Sequence, residues 1–238
     1  MVDRIGDLEA IATGPAVMIA ASLLIYAAAK KLYARVPFPL LHPVLTSVAV
    51  IVALLSLAGV PYDEYRDATS LISFALEISV VALALPLYRQ FAVLRRNAPE
   101  VATGIVFAAV VGVVSAVVPF LWLSVDPSTA VSAAPTSVTT PIAMAVSERA
   151  GGIPSLTAAL VVVTGIAGAV IGPSVLKVVG VTNRVAWGLA MGAAAHGIGT
   201  ARALARGELE GATSSLGLCL NGLLTAAITP LLLRLVLG

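Results

Sequence analysis

Seven stretches of this chain run on without a charged side chain: Ala10 to Ala29, Val36 to Tyr62, Val101 to Val125, Pro127 to Ser147, Ala150 to Leu176, Val185 to Ala201 and Gly211 to Leu233. A helix needs about 20 predominantly apolar residues to cross the hydrocarbon core of a bilayer, and most of these stretches reach that length. Ala, Leu, Val and Gly fill them, with no strict alternation of the kind a membrane β-barrel requires. Helices remain, because backbone in lipid must satisfy its own hydrogen bonds. Composition agrees: 11% of the 238 residues are charged, against about 25% in a soluble domain, and the mean hydropathy is +1.04. So little charge cannot coat a water-facing surface.

The expectation is therefore an all-α integral membrane protein. It would be a polytopic helical bundle of seven or eight hydrophobic segments forming a single domain, residues 1–238, with two segments broken or re-entrant. No internal repeat stands out, which leaves room for an inverted repeat. Lys30, Lys31 and Arg35 follow the first segment, Asp63, Glu64 and Asp67 follow the second, and Arg89, Arg95 and Arg96 follow a third, interrupted segment of about Leu71 to Tyr88 that holds Glu77. Basic residues gather on the cytoplasmic side, so the N-terminus is expected outside. Asp3, Asp7 and Glu9 at the start do not fit a signal peptide, which wants a basic start. A bacterial cytoplasmic membrane is the expected location.

Several function classes fall away at this level. Cys219 is the single cysteine, which excludes a disulfide framework or a multi-cysteine metal site, and it reads as a small core residue. A net charge of +2 without a basic face gives no nucleic-acid footprint. No His/Glu metal motif and no nucleophile paired with a base occur at recognisable spacing, so neither an enzyme nor a cofactor is expected.

Two places carry chemistry. The stretch from Asp126 to Val146 is rich in Pro, Ser and Thr, yet is uncharged after Asp126. A break between Pro135 and Pro141 is expected, with Thr139 or Thr140 capping a helix that begins at Pro141. Such an N-terminus at membrane depth is an anion site of the kind carriers use for substrate carboxylates; a plain cap is the bland reading. The second break is expected at Gly197 and Gly199, beside His196, with Thr200 following. An intramembrane histidine is a candidate for substrate binding or proton coupling, or else a hydrogen-bonded packing residue.

Glu77 is the only carboxylate well inside an apolar run, a candidate coupling group or half of an ion pair. Asn221 and Thr225, four apart, share a helix face and read as pathway or interhelical glue. Gly165, Gly168 and Gly172 read as packing. Tyr62, Tyr65 and Trp122 read as interfacial anchors, and Arg202, Arg206, Glu208 and Glu210 as a solvated helix end.

At these residues a family resemblance appears. S-V-T-T-P-I-A at 137–143, G-G-I-P-S-L-T-A at 151–158, T-G-I-A-G-A-V-I-G at 164–172, H-G-I-G-T-A at 196–201 and E-G-A-T-S-S-L at 210–216 resemble the LrgB family. P-Y-D-E-Y at 61–65 and V-A-L-A-L-P-L-Y at 81–88 do so too. The resemblance implies two functions. One is antiholin-like control of murein hydrolases and cell lysis through membrane assembly. The other is secondary transport of small monocarboxylates such as glycolate, glycerate or pyruvate, ion- or proton-coupled, by alternating access. It also implies an LrgA-type small membrane partner, and a homo-oligomer is expected. On the transport reading, Ser137, Thr139, Thr140 and Pro141 with His196, Gly197, Gly199, Thr200 and Asn221 bind the acid, and Glu77 and His196 couple an ion. The sequence departs from the family pattern in two places: Thr136 stands where many relatives carry a lysine, and Glu77, Ile78 and Ser79 stand in the region where many read G-P-A.

Overall fold

The computed structural model describes residues 14–36, 38, 41–82 and 84–237, with the side chains at 76, 77, 79, 80, 86, 87 and 237 outside that description. Asp3, Asp7, Glu9 and the side chain of Glu77 therefore lie outside the described residues. Every regular element among those described is a helix.

The chain forms two compact units. The first, to Ala82, holds α1 (Pro15–Arg35), α2 (Pro43–Ala58), α3 (Tyr62–Ala68) and α4 (Ser70–Ala82). α2 stops at Gly59, whose φ of +68° lets its N–H fold back onto the Leu55 and Ser56 carbonyls, the left-handed cap that glycine favours. α1 and α3 are joined by the 2.8 Å hydrogen bond between Ser22 and Tyr65, so Tyr65 does more than anchor an interface.

The second unit, from Leu83, holds α5 (Ala84–Arg89), α6 (Phe91–Arg96), α7 (Ala98–Trp122), α8 (Pro127–Ala133), α9 (Thr140–Arg149), α10 (Pro154–Val178), α11 (Arg184–Arg206) and α12 (Glu208–Leu237). Its large apolar side chains point outward: Phe107, Val163, Ile171, Leu223 and Leu235 are all exposed. Its fully buried positions are mostly small or hydroxylated, among them Ala109, Ala134, Thr157, Thr213, Ser214 and Thr225, with Val113, Val117, Val161 and Met191 the main exceptions. This inversion of a soluble protein is what lipid demands, since a leucine gains nothing by leaving hydrocarbon while a hydroxyl does. The chain is a multi-pass membrane protein.

The expected count of seven or eight segments needs correction. Among the described residues, four helices are long and apolar enough to cross a membrane, namely α1, α7, α10 and α12, and α2 with α3, bent by 119°, would make a fifth. The uncharged stretches overcount for physical reasons. Pro127 to Ser147 folds into helices of seven and ten residues around a break. α11 is long enough but is not among them; it carries Arg184, Arg202 and Arg206 as well as His196.

Candidate functional site

The first break lies where it is expected. α8 ends at Ala133, and turns carry the chain through 134–139 to α9. Most of that turn is inside: Ala134, Pro135 and Val138 are fully buried, and Thr136 nearly so. Hydroxyls hold it there. The Thr136 hydroxyl donates to the Ala133 carbonyl at 2.8 Å. Ser132 Oγ accepts from the Ile153 N–H at 2.7 Å, and Thr157 Oγ1 lies 2.9 Å from the Ser132 carbonyl oxygen and 2.7 Å from Ser147 Oγ. α9 begins one residue earlier than expected. Thr139 is its N-cap by position and Pro141 sits in its first turn, but no side chain closes the cap.

The second break is displaced from its expected place. The glycines at 197 and 199 are not the hinge; His196 itself takes the non-helical backbone, φ +39° and ψ −128°. Side chains other than glycine avoid that region, so the conformation stores strain. Two contacts hold it. His196 Nε2–H donates to the Val161 carbonyl of α10 at 3.1 Å, and Gly165 makes room for the ring, because a Cβ there would collide with the imidazole. Gly199 serves close approach: a Cβ would meet the Met191 carbonyl of the preceding half-helix. Gly197 is exposed and crowds nothing. Thr200 donates to the His196 carbonyl at 2.9 Å and lies 3.0 Å from Ser214 Oγ on α12.

Asn221 of α12 ties the two breaks together. Its side-chain amide donates to the Ser137 carbonyl and to the Ala193 carbonyl, both at 3.1 Å, and it is 1% exposed. Thr225, one turn on, approaches its amide oxygen at 3.4 Å. Val161, whose carbonyl holds His196, packs its side chain against Val138 and Ala143 of the first break. Both interruptions thus meet around one amide and one valine.

Beside this meeting point lies a cavity of about 620 Å³, walled by Gly112 and Ser115 of α7, Thr136 and Ser137 of the turn, Thr164 of α10 and Ala194 of α11, among others. Ser137 Oγ is buried and has no hydrogen-bond partner among the described residues. A Cβ on Gly112 would come 3.0 Å from that oxygen, so the hydroxyl packs directly against the α7 backbone, which only glycine allows. Of the residues expected at a site, Ser137 is in the wall and Asn221 supports it from behind. His196 and Thr200 lie deeper, bonded to Val161 and Ser214. Thr139, Thr140 and Pro141 stand at the start of α9, outside the wall, and Thr136 takes a place there that sequence reasoning noticed only as a departure.

Two further readings need correction. Glu210 is not solvated: it is 3% exposed and accepts from Arg184 Nε at 2.8 Å and Nη2 at 2.6 Å, with Arg206 Nε at 3.6 Å. Arg206 stacks on Trp187, 4.3 Å from the ring centre. Cys219 is exposed rather than in the core. A paired carboxylate inside a bundle suffers most when its bidentate partner goes. Arg184→Ala should therefore lower the melting temperature of the purified protein more than Arg206→Ala, and equal losses would count against the bidentate pair.

Residues 22–235 match the profile of the family described as LrgB-like. The uncharacterized protein YwbG of Bacillus subtilis strain 168 is 38% identical over 212 residues, 89% of this chain and 94% of that protein. The holin-like protein CidB of Staphylococcus aureus strain Mu50 is 31% identical over 223 residues, 92% of this chain and 95% of its own length. The holin-like protein CidB of Staphylococcus epidermidis strain ATCC 12228 is 29% identical over 218 residues, again 92% and 95%. No solved structure matches the chain.

Proposed function

The chain belongs to the LrgB-like family, and from that premise we propose that it is a secondary carrier of small monocarboxylates such as glycolate, glycerate or pyruvate. The observation that carries this reading is a cavity lined by Thr136, Ser137 and Thr164 where two interrupted helices meet, with the Ser137 hydroxyl buried at its wall and unpartnered among the described residues. Carriers place substrates where discontinuous helices expose backbone groups at membrane depth. A protein needed only for assembly has no use for a buried donor left without a partner, which costs free energy. In this reading Ser137 and Thr136 hold the carboxylate or its α-oxygen. Thr139, Thr140 and the N-terminus of α9 contribute only if the half-helix moves. His196 is the hinge of the second half-helix and couples a proton only when its ring leaves Val161.

A second reading is favoured by a different observation, the name holin-like protein that the staphylococcal relatives bear. Those names weigh more toward an antiholin-like regulator of murein hydrolase activity and lysis than toward a carrier. Such a regulator would act through assembly with an LrgA-type partner.

One experiment separates them. Purified protein in liposomes, alone and with an LrgA-type partner, is given labelled glycolate or pyruvate with and without a pH gradient. A carrier shows saturable uptake. Ser137→Ala should then raise KM up to about tenfold, the loss of one hydrogen bond of about 1 kcal/mol, while thermal stability does not fall and can rise, because the change removes a buried donor without a partner in the fold. His196→Gly tolerates the hinge conformation, so lost pH dependence in that variant would assign coupling to the ring. No saturable uptake under either condition, together with altered lysis in cells lacking the protein, would establish the regulator.

A further inference from the structure

Contacts within α11 are incompatible with one continuous helix. At a rise of about 1.5 Å per residue, Trp187 and Arg206 would stand about 28 Å apart, yet the Arg206 guanidinium lies 4.3 Å from the Trp187 ring centre. Ala203 packs with Trp187 and Met191, and Arg184 and Arg206, at the two ends of the element, share Glu210. The chain therefore reverses at His196: residues 184–195 enter the bundle and residues 197–206 return beside them. Residues 126–150 reverse in the same way through the turn after α8. Thr157 Oγ1 lies 2.9 Å from the Ser132 carbonyl oxygen of α8 and 2.7 Å from Ser147 Oγ of α9, so the two arms are level there. Ala150, just past the end of α9, packs on Ala130, Val131 and Ala134. We infer that residues 126–150 and 184–206 are two re-entrant hairpins that enter the bilayer from opposite faces and meet tip to tip.

α10 fixes the directions. Its first half runs beside the first hairpin: Thr157 is level with Ser132 and Ser147, and Val161 packs on Val138 and Ala143. Its second half runs beside the entering arm of the second, with one number rising as the other falls. Gly165 meets His196, Gly168 meets Ala195, Gly172 meets Met191, and Leu176 packs by Trp187 and Met191. A helix of 25 residues, long and apolar enough to cross a membrane, thus starts at the base of one hairpin and ends at the base of the other. α7, also 25 residues long, plays the corresponding part for the first hairpin. Val113 and Val117 pack on Ala130, Val131 and Ala134, and Gly112 receives Ser137. Each crossing helix therefore carries, near its middle, a glycine that seats the tip of the hairpin following it: Gly112 for Ser137, Gly165 for His196. α7 with the first hairpin and α10 with the second form an inverted pair.

Charge orients the pair. Lys177, Arg184, Arg202 and Arg206 gather toward the base of the second hairpin, and Arg89 lies 3.7 Å from Glu208 there. Arg95 and Arg96 lead into α7, whose first turn shares a cavity wall with Asn183 at the same base. The opposite end holds Asp126, Glu148, Arg149 and Arg234. Basic residues collect on the cytoplasmic side, so residues 184–206 enter from the cytoplasm and residues 126–150 from outside. Irregular backbone at membrane depth is tolerated where protein buries it, and Pro135, Val138 and His196 are buried. One consequence rests on the carrier reading: the hairpins are then the opposed gates of a single central site, as alternating access between inverted repeats requires.

The topology itself is read without transport. In a Cys219→Ala background, single cysteines replace Ser124 and Glu148, which flank the first hairpin, and Thr182 and Glu208, which flank the second; all four positions are exposed. Each protein is treated with a membrane-impermeant thiol reagent in sealed vesicles of both orientations. Ser124→Cys and Glu148→Cys should be labelled from the outer face and lose that labelling from the inner one, and Thr182→Cys and Glu208→Cys should do the reverse. Opposite faces for Thr182→Cys and Glu208→Cys would make α11 a crossing segment, and opposite faces for Ser124→Cys and Glu148→Cys would do the same for residues 126–150. All four labelled from one face would remove the inversion. The expected pattern in a protein that takes up no acid would sink the carrier and keep the hairpins.

Discussion

Gly192→Val should leave little folded protein. A Cβ at position 192 would lie on the Ser214 carbonyl oxygen and within 2.9 Å of Ser214 Cα. One turn earlier, a Cβ at Gly188 would meet Thr213 and the Glu210 backbone, and across the seam one at Gly217 would stand 2.8 Å from the Leu189 carbonyl oxygen. α11 and α12 are thus in backbone contact, the approach that small residues allow between membrane helices. Overpacking costs about 1–3 kcal/mol where side chains can shift. Here the obstacle is main chain, and the helices would have to part, breaking the Arg184–Glu210 pair and the Thr200–Ser214 contact. A loss above about 4 kcal/mol is expected, a large share of the 5–15 kcal/mol that a domain has. Gel filtration and thermal melting in detergent measure it. Gly197→Ala is the internal control: it meets nothing and should be neutral, or stabilising by up to about 1 kcal/mol through helix propensity. A Gly192→Ala protein that melts like the parent would mean the seam is looser than its geometry.

The same glycines show what a sequence can and cannot reveal here. Uncharged length says that a segment lives in an apolar medium, and that much was legible in every stretch. It does not say whether the segment is one helix, because Pro127 to Ser147 is as apolar as a span and is nevertheless divided. The first break was legible because prolines flank a run of hydroxyls. The second was misplaced by a residue, since glycine was read as a hinge when Gly199 and Gly165 serve close approach and His196 bears the strained angles. Periodicity failed for Cys219, because where nearly all residues are apolar no face announces itself. Long-range partners were out of reach: Arg184 and Glu210 are 26 residues apart, and Asn221 and Ser137 are 84 apart. Thr139 and Thr140 were chosen for their hydroxyls beside Pro141, but the turn puts Thr136 and Ser137 against the cavity instead.

Asn221→Leu should cost both stability and function. Leucine matches asparagine in the number and branching of its side-chain heavy atoms and is somewhat bulkier, so the change removes donors without opening a hole. Two carbonyls, Ser137 and Ala193, would then face apolar surroundings with no amide to meet them. Each buried carbonyl left unpaired costs about 1–3 kcal/mol by general experience of proteins, whereas polar contacts between membrane helices average about 0.6 kcal/mol because the separated helices find other partners. The lower figure applies to regular helices, whose carbonyls are already bonded within the helix. The Ser137 carbonyl lies in a turn and the Ala193 carbonyl stands one turn before the His196 hinge, so neither has a full helical alternative, and a loss of about 2–4 kcal/mol is expected. Thr225→Val, which removes only a 3.4 Å contact to the same side chain, should stay within about 0.5 kcal/mol. Melting temperatures in detergent decide the comparison, and equal melting of the two variants would remove Asn221 from its bridging role. Function should fall further than stability alone explains. The Ser137 backbone hangs on this amide, so its loss lets the cavity wall drift, and misplacing a binding group by about 1 Å can cost 100-fold in rate. Folded Asn221→Leu protein that retained full uptake, or full effect on lysis, would show that the two breaks work without being tied.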